Sequence, residues 1–144
     1  ETIVESSGMT FPLRLSFTST DAEFKNTFSS SFWGDVSAGM AIPDLPETQL
    51  ALSAGFDTGN GWSGTATAYL FGGTCSVASC EAGTKVDSYN TLDLTLNREI
   101  SEKIDLYLTM TNLTDNEDIV ARAPKNGARA QASRITLIGA RFKF

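Results

Sequence analysis

The chain contains no histidine. That absence removes the commonest general base, the commonest metal ligand and the central member of every Ser-His-Asp site. Cysteine is confined to Cys75 and Cys80. Cations are outnumbered: 11 Lys and Arg stand against 17 Asp and Glu, for a net charge of −6. A nucleic-acid partner would call for clustered Lys and Arg to displace counterions, so nucleic acid is excluded as a partner. No apolar run approaches the ~18 residues that a transmembrane helix needs. The opening stretch "ETIVESSGMTF" has neither the basic start nor the apolar centre of a signal peptide. The length, 144 residues, suits one ordinary domain of ~100–200 residues.

What is present is alternation. Apolar residues recur with period two almost throughout, and no stretch holds a helical period. In "YNTLDLTLNREI", Leu92, Leu94 and Leu96 form one face, opposite Thr91, Asp93, Thr95 and Asn97. In "KIDLYLTMTNL", Ile104, Leu106, Leu108 and Met110 oppose Asp105, Thr109 and Thr111. Leu13, Leu15 and Phe17 oppose Arg14, Ser16 and Thr18; Leu50, Leu52, Ala54 and Phe56 oppose the small residues Ala51, Ser53 and Gly55. "GWSGTATAYLF" is blurred by Gly, Ala and Thr, and the final segment sets Ile138, Ala140, Phe142 and Phe144 against Arg141 and Lys143. The pattern predicts an all-β chain of six strands, each of roughly 10–12 residues, plus a stub at residues 1–5.

The connections alternate as well. Residues 6–10, 57–61 and 101–103 are rich in turn formers, whereas 25–46, 72–88 and 114–132 are long loops. Antiparallel transmembrane barrels have this layout: short periplasmic turns, long extracellular loops, alternating faces. Phe56, Trp62, Phe142 and Phe144 fall at the short-turn ends and on the apolar parity, as an interfacial aromatic girdle would. Tyr69, Phe71 and Tyr89 fall at the long-loop ends, Tyr89 on the polar parity. A single strand's pattern fits a soluble sandwich equally well, so a secreted carbohydrate-binding β-sandwich stays open as an alternative.

Cys75 and Cys80 lie in "GGTCSVASCEAG", a loop composition. In an exported protein they predict a small loop-closing disulfide. The other readings are two free thiols, or half of a zinc site that lacks its second pair. "DNED" (Asp115, Asn116, Glu117, Asp118) is oxygen-rich, but it lacks the spacing and glycine of an EF-hand; a solvated acidic loop is the plainer reading. Arg122, Lys125, Arg129 and Arg134 gather in and after the last long loop. They suit either an anionic chelate or acidic lipid headgroups. Trp33, in the first long loop, suits ligand stacking or loop packing. No residue is expected to be catalytic and no cofactor is expected.

The ending "SRITLIGARFKF" resembles the last strand of outer-membrane barrels, with Phe144 and Phe142 as its aromatics and Gly139 as its glycine. Leu137 stands where that pattern usually has a polar residue. The resemblance implies that Gly139, Phe142 and Phe144 carry a signal for the barrel-assembly machinery. A wider likeness covers nearly the whole chain. "LDLTLNREISEKIDLYLTMTNLTDNEDIVAR" through "GARAQASRITLIGARFKF" is similar to the C-terminal end of TonB-dependent outer-membrane receptors, with Asn112, Leu113, Thr114 and Asp115 as the strand-end motif. Ala22, Glu23, Phe24, Phe32, Trp33, Gly34, Ile42, Pro43, Pro46 and Gln49 resemble the ferric-citrate branch.

That resemblance implies a plugged barrel of about 22 strands, of which this chain would supply about the last six to seven. Residues 1–144 would form the C-terminal part of the barrel domain, with no plug domain in this chain. A whole receptor needs on the order of 450 residues or more, and even the smallest closed barrel has roughly eight strands. The chain is therefore expected to be part of a longer protein. The implied function is uptake of a ferric chelate (siderophore or ferric citrate) or a similar scarce nutrient across the outer membrane of a Gram-negative bacterium. The implied partners are the remaining strands and plug of the same receptor, TonB through that plug, outer-membrane lipid and the assembly machinery. Trp33, Arg122, Lys125 and Arg129 are the expected ligand-facing residues of the loops. A passive porin-like or adhesive barrel is the alternative within the same fold.

Overall fold

The structure is a computed structural model that describes residues 1–122 and 127–144. Seven long strands dominate it: β1 (Thr2–Ser6), β2 (Met9–Ser19), β5 (Thr48–Asp57), β6 (Trp62–Phe71), β9 (Tyr89–Ser101), β10 (Ile104–Thr111) and β13 (Ile135–Phe142). They form one antiparallel sheet in the order β1-β2-β5-β6-β9-β10-β13, so each strand pairs with its neighbours in sequence. The remaining strands make three ribbons, one in each long connection: β3 (Phe28–Ser30) with β4 (Gly34–Val36), β7 (Thr74–Cys75) with β8 (Lys85–Val86), and β11 (Ile119–Ala121) with β12 (Arg129–Ala130). The expected stub is a full partner strand, and no helix occurs among the described residues.

The short turns are built from local chemistry. Ser7 and Gly8 both have positive φ (53° and 77°), the backbone that a two-residue turn needs to match the twist of its strands. In the 58–61 turn, the Gly59 amide donates to Asp57 Oδ1 at 2.8 Å, and the Thr58 amide donates to the Trp62 carbonyl at 2.9 Å. A bulge between Ile104 and Asp105 shifts the β9–β10 register beside the third turn.

Register assigns every side chain to a face. One face carries Phe11, Leu13, Leu15 and Phe17; Leu50, Leu52, Ala54 and Phe56; Leu92, Leu94 and Leu96; Leu106 and Leu108; Ile138 and Phe142. The other carries Arg14, Ser16, Ser53, Thr65, Thr67, Asp93, Thr95, Tyr107 and Thr109. Ser53 and Thr67 share a hydrogen bond across strands at 2.7 Å. Shallow clefts open on this hydroxyl face, one lined by Pro12, Arg14, Ser53, Gly55 and Thr65.

The apolar face has no cover. Leu15 is 64 % exposed, Phe17 63 % and Ile138 77 %, and no second sheet lies over them among the described residues. A soluble sandwich packs its leucines between two sheets ~10 Å apart; the described residues form no such pair of layers. Ten residues such as β5 or β6 reach roughly 33 Å, or about 25 Å when tilted by ~40°, the height of a barrel's apolar band.

The register also corrects the girdle expected at the long-loop ends. Tyr69 pairs with Ala51, and Phe71 with Gln49 and Tyr89, so all three aromatics sit on the hydroxyl face. The small residues of β6 hide its parity in the sequence; its neighbours β5 and β9 fix it. At the other end Phe56 and Phe142 lie on the apolar face as expected, with Trp62 46 % exposed there and Phe144 just past the end of β13.

Gly139 has a local reason. It pairs with Tyr107 on the hydroxyl face, and a Cβ at this position would strike the Tyr107 ring. The ring covers a bare stretch of β13 backbone, an arrangement that compensates glycine in a sheet. Gly139→Val should displace the ring and cost roughly 1–3 kcal/mol. The expected result is a smaller folded, heat-modifiable fraction on electrophoresis of the intact protein, partly restored by adding Tyr107→Ala. An unchanged folded fraction would show that the contact does not matter.

Candidate functional site at the loop-bearing mouth

The most deeply buried side chains lie in the loops or where a strand meets one. Val36, Val77 and Thr84 are each below 2 % exposed, and Val86 and Ser76 join them. The three long loops therefore pack as a cap with its own small core. The Ala78 amide donates to the Trp33 carbonyl at 3.4 Å, and the Asp44 amide to the Cys75 carbonyl at 2.8 Å, tying the first loop to the second. Arg122 Nε donates to the Lys85 carbonyl, tying the third loop to the second. The structure joins Cys75 to Cys80 in a disulfide with 5.3 Å between Cα atoms, closing the tip from which Val77 enters the core.

Trp33 sits in an aromatic cluster, its ring centroid 5.3 Å from Phe24 and 5.7 Å from Phe32, with Phe24 also 5.5 Å from Phe28. This contact pins the first loop. Arg122 is engaged with the second loop as described, and Arg134 is engaged with Asp115 at 3.9 Å and with the Leu113 carbonyl. Arg129 is exposed on β12. Lys125 lies outside the described residues. The acidic stretch is used structurally: Asp115 Oδ1 accepts the Arg134 amide at 2.7 Å, and Asn116 Nδ2 donates to Asn90 Oδ1 at 3.1 Å. Among the described residues no group of three His, Cys, Asp or Glu side chains is placed to hold a metal ion.

A cleft on the hydroxyl side lies where the three loops meet the strands. Asp44 and Pro46 come from the first loop, Thr74 from the second, Val120 and Ala121 from the third, and Gln49, Phe71 and Tyr89 from the strands below. Its volume is about 420 Å³, within the range of small-molecule sites. Phe71 and Tyr89 form its floor, stacked at 4.7 Å with 22° between planes. Partial burial pushes the Asp44 carboxyl above its ordinary value, because desolvation disfavours the charge. The site offers an aromatic ledge with a carboxyl and an amide beside it, suited to stacking a planar ligand and hydrogen-bonding its rim. Sequence reading missed Phe71 and Asp44; the available signal was Tyr89, an aromatic on the polar parity at a loop end.

Asn112 holds the rim in place. It is 4 % exposed with φ +48°, and Nδ2 donates to the Asn116 and Ala132 carbonyls at 2.9 and 2.8 Å. Its Oδ1 accepts the Asn116 amide at 3.1 Å, and its own amide donates to Asp93 Oδ1 at 3.0 Å. One side chain thus joins the end of β10 to the approach to β13.

Comparison with known proteins gives the fold a counterpart. No protein-family profile matches the sequence, and no curated protein matches it significantly. Among solved structures the chain is similar to the closed form of the ferric-catecholate import receptor Fiu of E. coli K12. The TM-score is 0.73 at 20 % identity, over 96 % of this chain and 19 % of that one. It is similar to the siderophore receptor PiuA of Acinetobacter baumannii, with TM-score 0.78 at 16 % identity, over 96 % of this chain and 20 % of that one. The open form of Fiu matches over 71 % of this chain and 16 % of that one, at TM-score 0.60 and 21 % identity. The chain thus spans about a fifth of the length of these receptors. The likeness establishes the fold: an antiparallel meander with long loops, like a stretch of the β-barrels of those receptors.

Asn112→Ala leaves backbone groups at the rim without partners and should lower stability by roughly 1–3 kcal/mol. The check is the urea midpoint of the intact protein in detergent. Asn112→Asp, which sets an acceptor oxygen against the Asn116 and Ala132 carbonyls that Nδ2 now serves, should lower it at least as much.

Proposed function

We propose that this chain is part of the β-barrel wall of a TonB-dependent receptor in the outer membrane of a Gram-negative bacterium. The receptor would import a ferric chelate (siderophore or ferric citrate) or a similar scarce nutrient. The observation that carries this reading is the polarity of the sheet: leucines bare on one face, and hydroxyls on the other, where Ser53 and Thr67 share a hydrogen bond. A patch that large is not left to water by a soluble protein, whereas a lipid-facing strand needs it. The naming of the similar structures as import receptors for ferric catecholate and for a siderophore supports the choice of cargo class.

On this reading the chain makes and breaks no bonds. Residues 1–144 supply wall, capture loops and the closing strand, in which Gly139, Phe142 and Phe144 serve the assembly machinery. Ligand meets the mouth at the Phe71–Tyr89 ledge. Arg129, Lys125 and the loop-bound Arg122 add positive charge to attract an anionic chelate, and Trp33 keeps the first loop in shape. The plug domain, which engages TonB and opens the path, belongs to the rest of the receptor.

Two measurements test the two halves of the reading. Nitroxides placed singly at Leu50, Leu52 and Ala54 in the reconstituted protein should be relaxed by oxygen dissolved in lipid. Those at Ala51, Ser53 and Gly55 should respond to an aqueous nickel chelate; loss of that alternation would remove the membrane assignment. Phe71→Ala and Tyr89→Ala should each weaken capture of a ferric siderophore by about tenfold, as for loss of one stacking contact. Unchanged capture by both variants would remove the ledge from the binding site.

A further inference from the structure

The apolar face of the seven strands carries a single charged side chain, Arg98. Its neighbours in register are Trp62 on β6 and Leu106 on β10, both on the same face. A guanidinium on a lipid-facing wall is costly at mid-membrane, by roughly 2–4 kcal/mol, and nearly free of cost at the interface. Arg98 stands at the short-turn end, level with the start of β6 and flanked on that rim by Phe56 and Phe142.

The surroundings hold it in one orientation. Its guanidinium carbon lies 5.1 Å from the centre of the Trp62 ring. Nη1 donates to the Asn60 carbonyl at 2.8 Å. The 58–61 turn closes over it through Gly61, whose φ is +90° and where a Cβ would meet the Glu99 carbonyl at 2.8 Å and Arg98 Nη1 at 3.3 Å. A guanidinium has five N–H donors, so one edge and one face are occupied while the other edge is left to donate outward. The ligand chemistry that matches a fixed guanidinium edge at headgroup depth is a phosphodiester, taken in a bidentate fashion.

We infer that Trp62 and Arg98 form a lipid-headgroup site, with Arg98 clasping the phosphate of a glycerophospholipid in the leaflet at the short-turn side and Trp62 packing against its glycerol and upper acyl chains. The inference rests on the membrane assignment proposed above and adds to it a specific lipid contact. Such a contact would fix the depth of β6 and β9 in the bilayer.

The test is lipid binding to the intact membrane protein in detergent, read by native mass spectrometry, with phosphatidylglycerol and with diacylglycerol, which lacks the phosphate. Wild type should retain phosphatidylglycerol in preference to diacylglycerol. Arg98→Gln should weaken phosphatidylglycerol binding by about tenfold, the loss of one charge-assisted bidentate contact. Arg98→Lys keeps the charge without the fork and should lose about threefold; it carries the test if Arg98→Gln fails to fold. Equal affinity of the folded variants and wild type for phosphatidylglycerol would overturn the inference. So would full displacement of the lipid by excess inorganic phosphate, which would mark the site as one for the free anion. Failure of the wild-type protein to insert into vesicles would instead remove the membrane assignment, and this inference with it.

Discussion

On the proposed reading the rest of the structure depends on one constraint: a backbone that crosses hydrocarbon must find all its hydrogen bonds in neighbouring strands. The meander answers it in the simplest topology, each strand paired with the one before and the one after. That choice dictates the side chains. With the ladder filling the sheet plane, only the two faces remain, and a period-two sequence gives one to lipid and the other to the lumen. Leu52 and Ser53 are adjacent in sequence and lie in different solvents on the proposed reading. A slip of one residue in any strand would exchange them, so register is fixed by the cost of placing Ser53, Thr67 or Asp93 in lipid.

The same constraint explains why the core sits where it does. Among the described residues the sheet has no second layer, so hydrophobic burial is left to the loops, around Val36, Val77 and Val86. Each long connection folds into a two-stranded ribbon, which satisfies much of its own backbone before it packs on the next. The disulfide and the Asn112 network close the two places where such a cap would otherwise open, the tip of the second loop and the base of the third. A cap built this way holds the Phe71–Tyr89 ledge at a fixed height below the rim.

The wall was legible in the sequence because its pattern is a direct image of its environment. Leu92, Leu94 and Leu96 announce an apolar face without any knowledge of their partners. Turn chemistry at residues 6–10 and 57–61 marked where strands reverse, and Cys75 and Cys80 were readable from spacing and loop composition. The site was less legible, because it is made by convergence. Asp44, Thr74 and Val120 meet only once three loops are folded, and nothing local in any one of them marks the meeting point. The face of Tyr69 and Phe71 was hidden for another reason: Gly64, Ala66 and Ala68 are small enough for either side, and β6 takes its parity from β5 and β9. Trp33 could be placed in a loop from sequence, but its partners Phe24 and Phe32 lie in irregular backbone whose geometry has no period.

On the proposed reading one residue of β13 serves two levels at once. Gly139 belongs to an ending that resembles an assembly signal, and it is also where the Tyr107 ring lies over the backbone. These roles are compatible physically. A strand handed by an assembly machine to its neighbour β10, as proposed, would gain from a gap that accepts an incoming ring only in the correct register, since a shift of one residue would set Tyr107 on the outward face and a shift of two would set it against Leu137 or Arg141. Asp105 reinforces the choice from the rim, holding Arg141 at 3.9 Å and Lys143 at 3.2 Å. The pairing of β10 with β13 is therefore specified three times: by glycine and ring in the middle, by charge at the short-turn end, and by Asn112 and Asp115 at the loop end. The β6–β9 pair is also held at both ends by side chains, by Arg98 on Trp62 at the short-turn end and by the Phe71–Tyr89 stack at the loop end, but it has no counterpart of the glycine and ring in its middle.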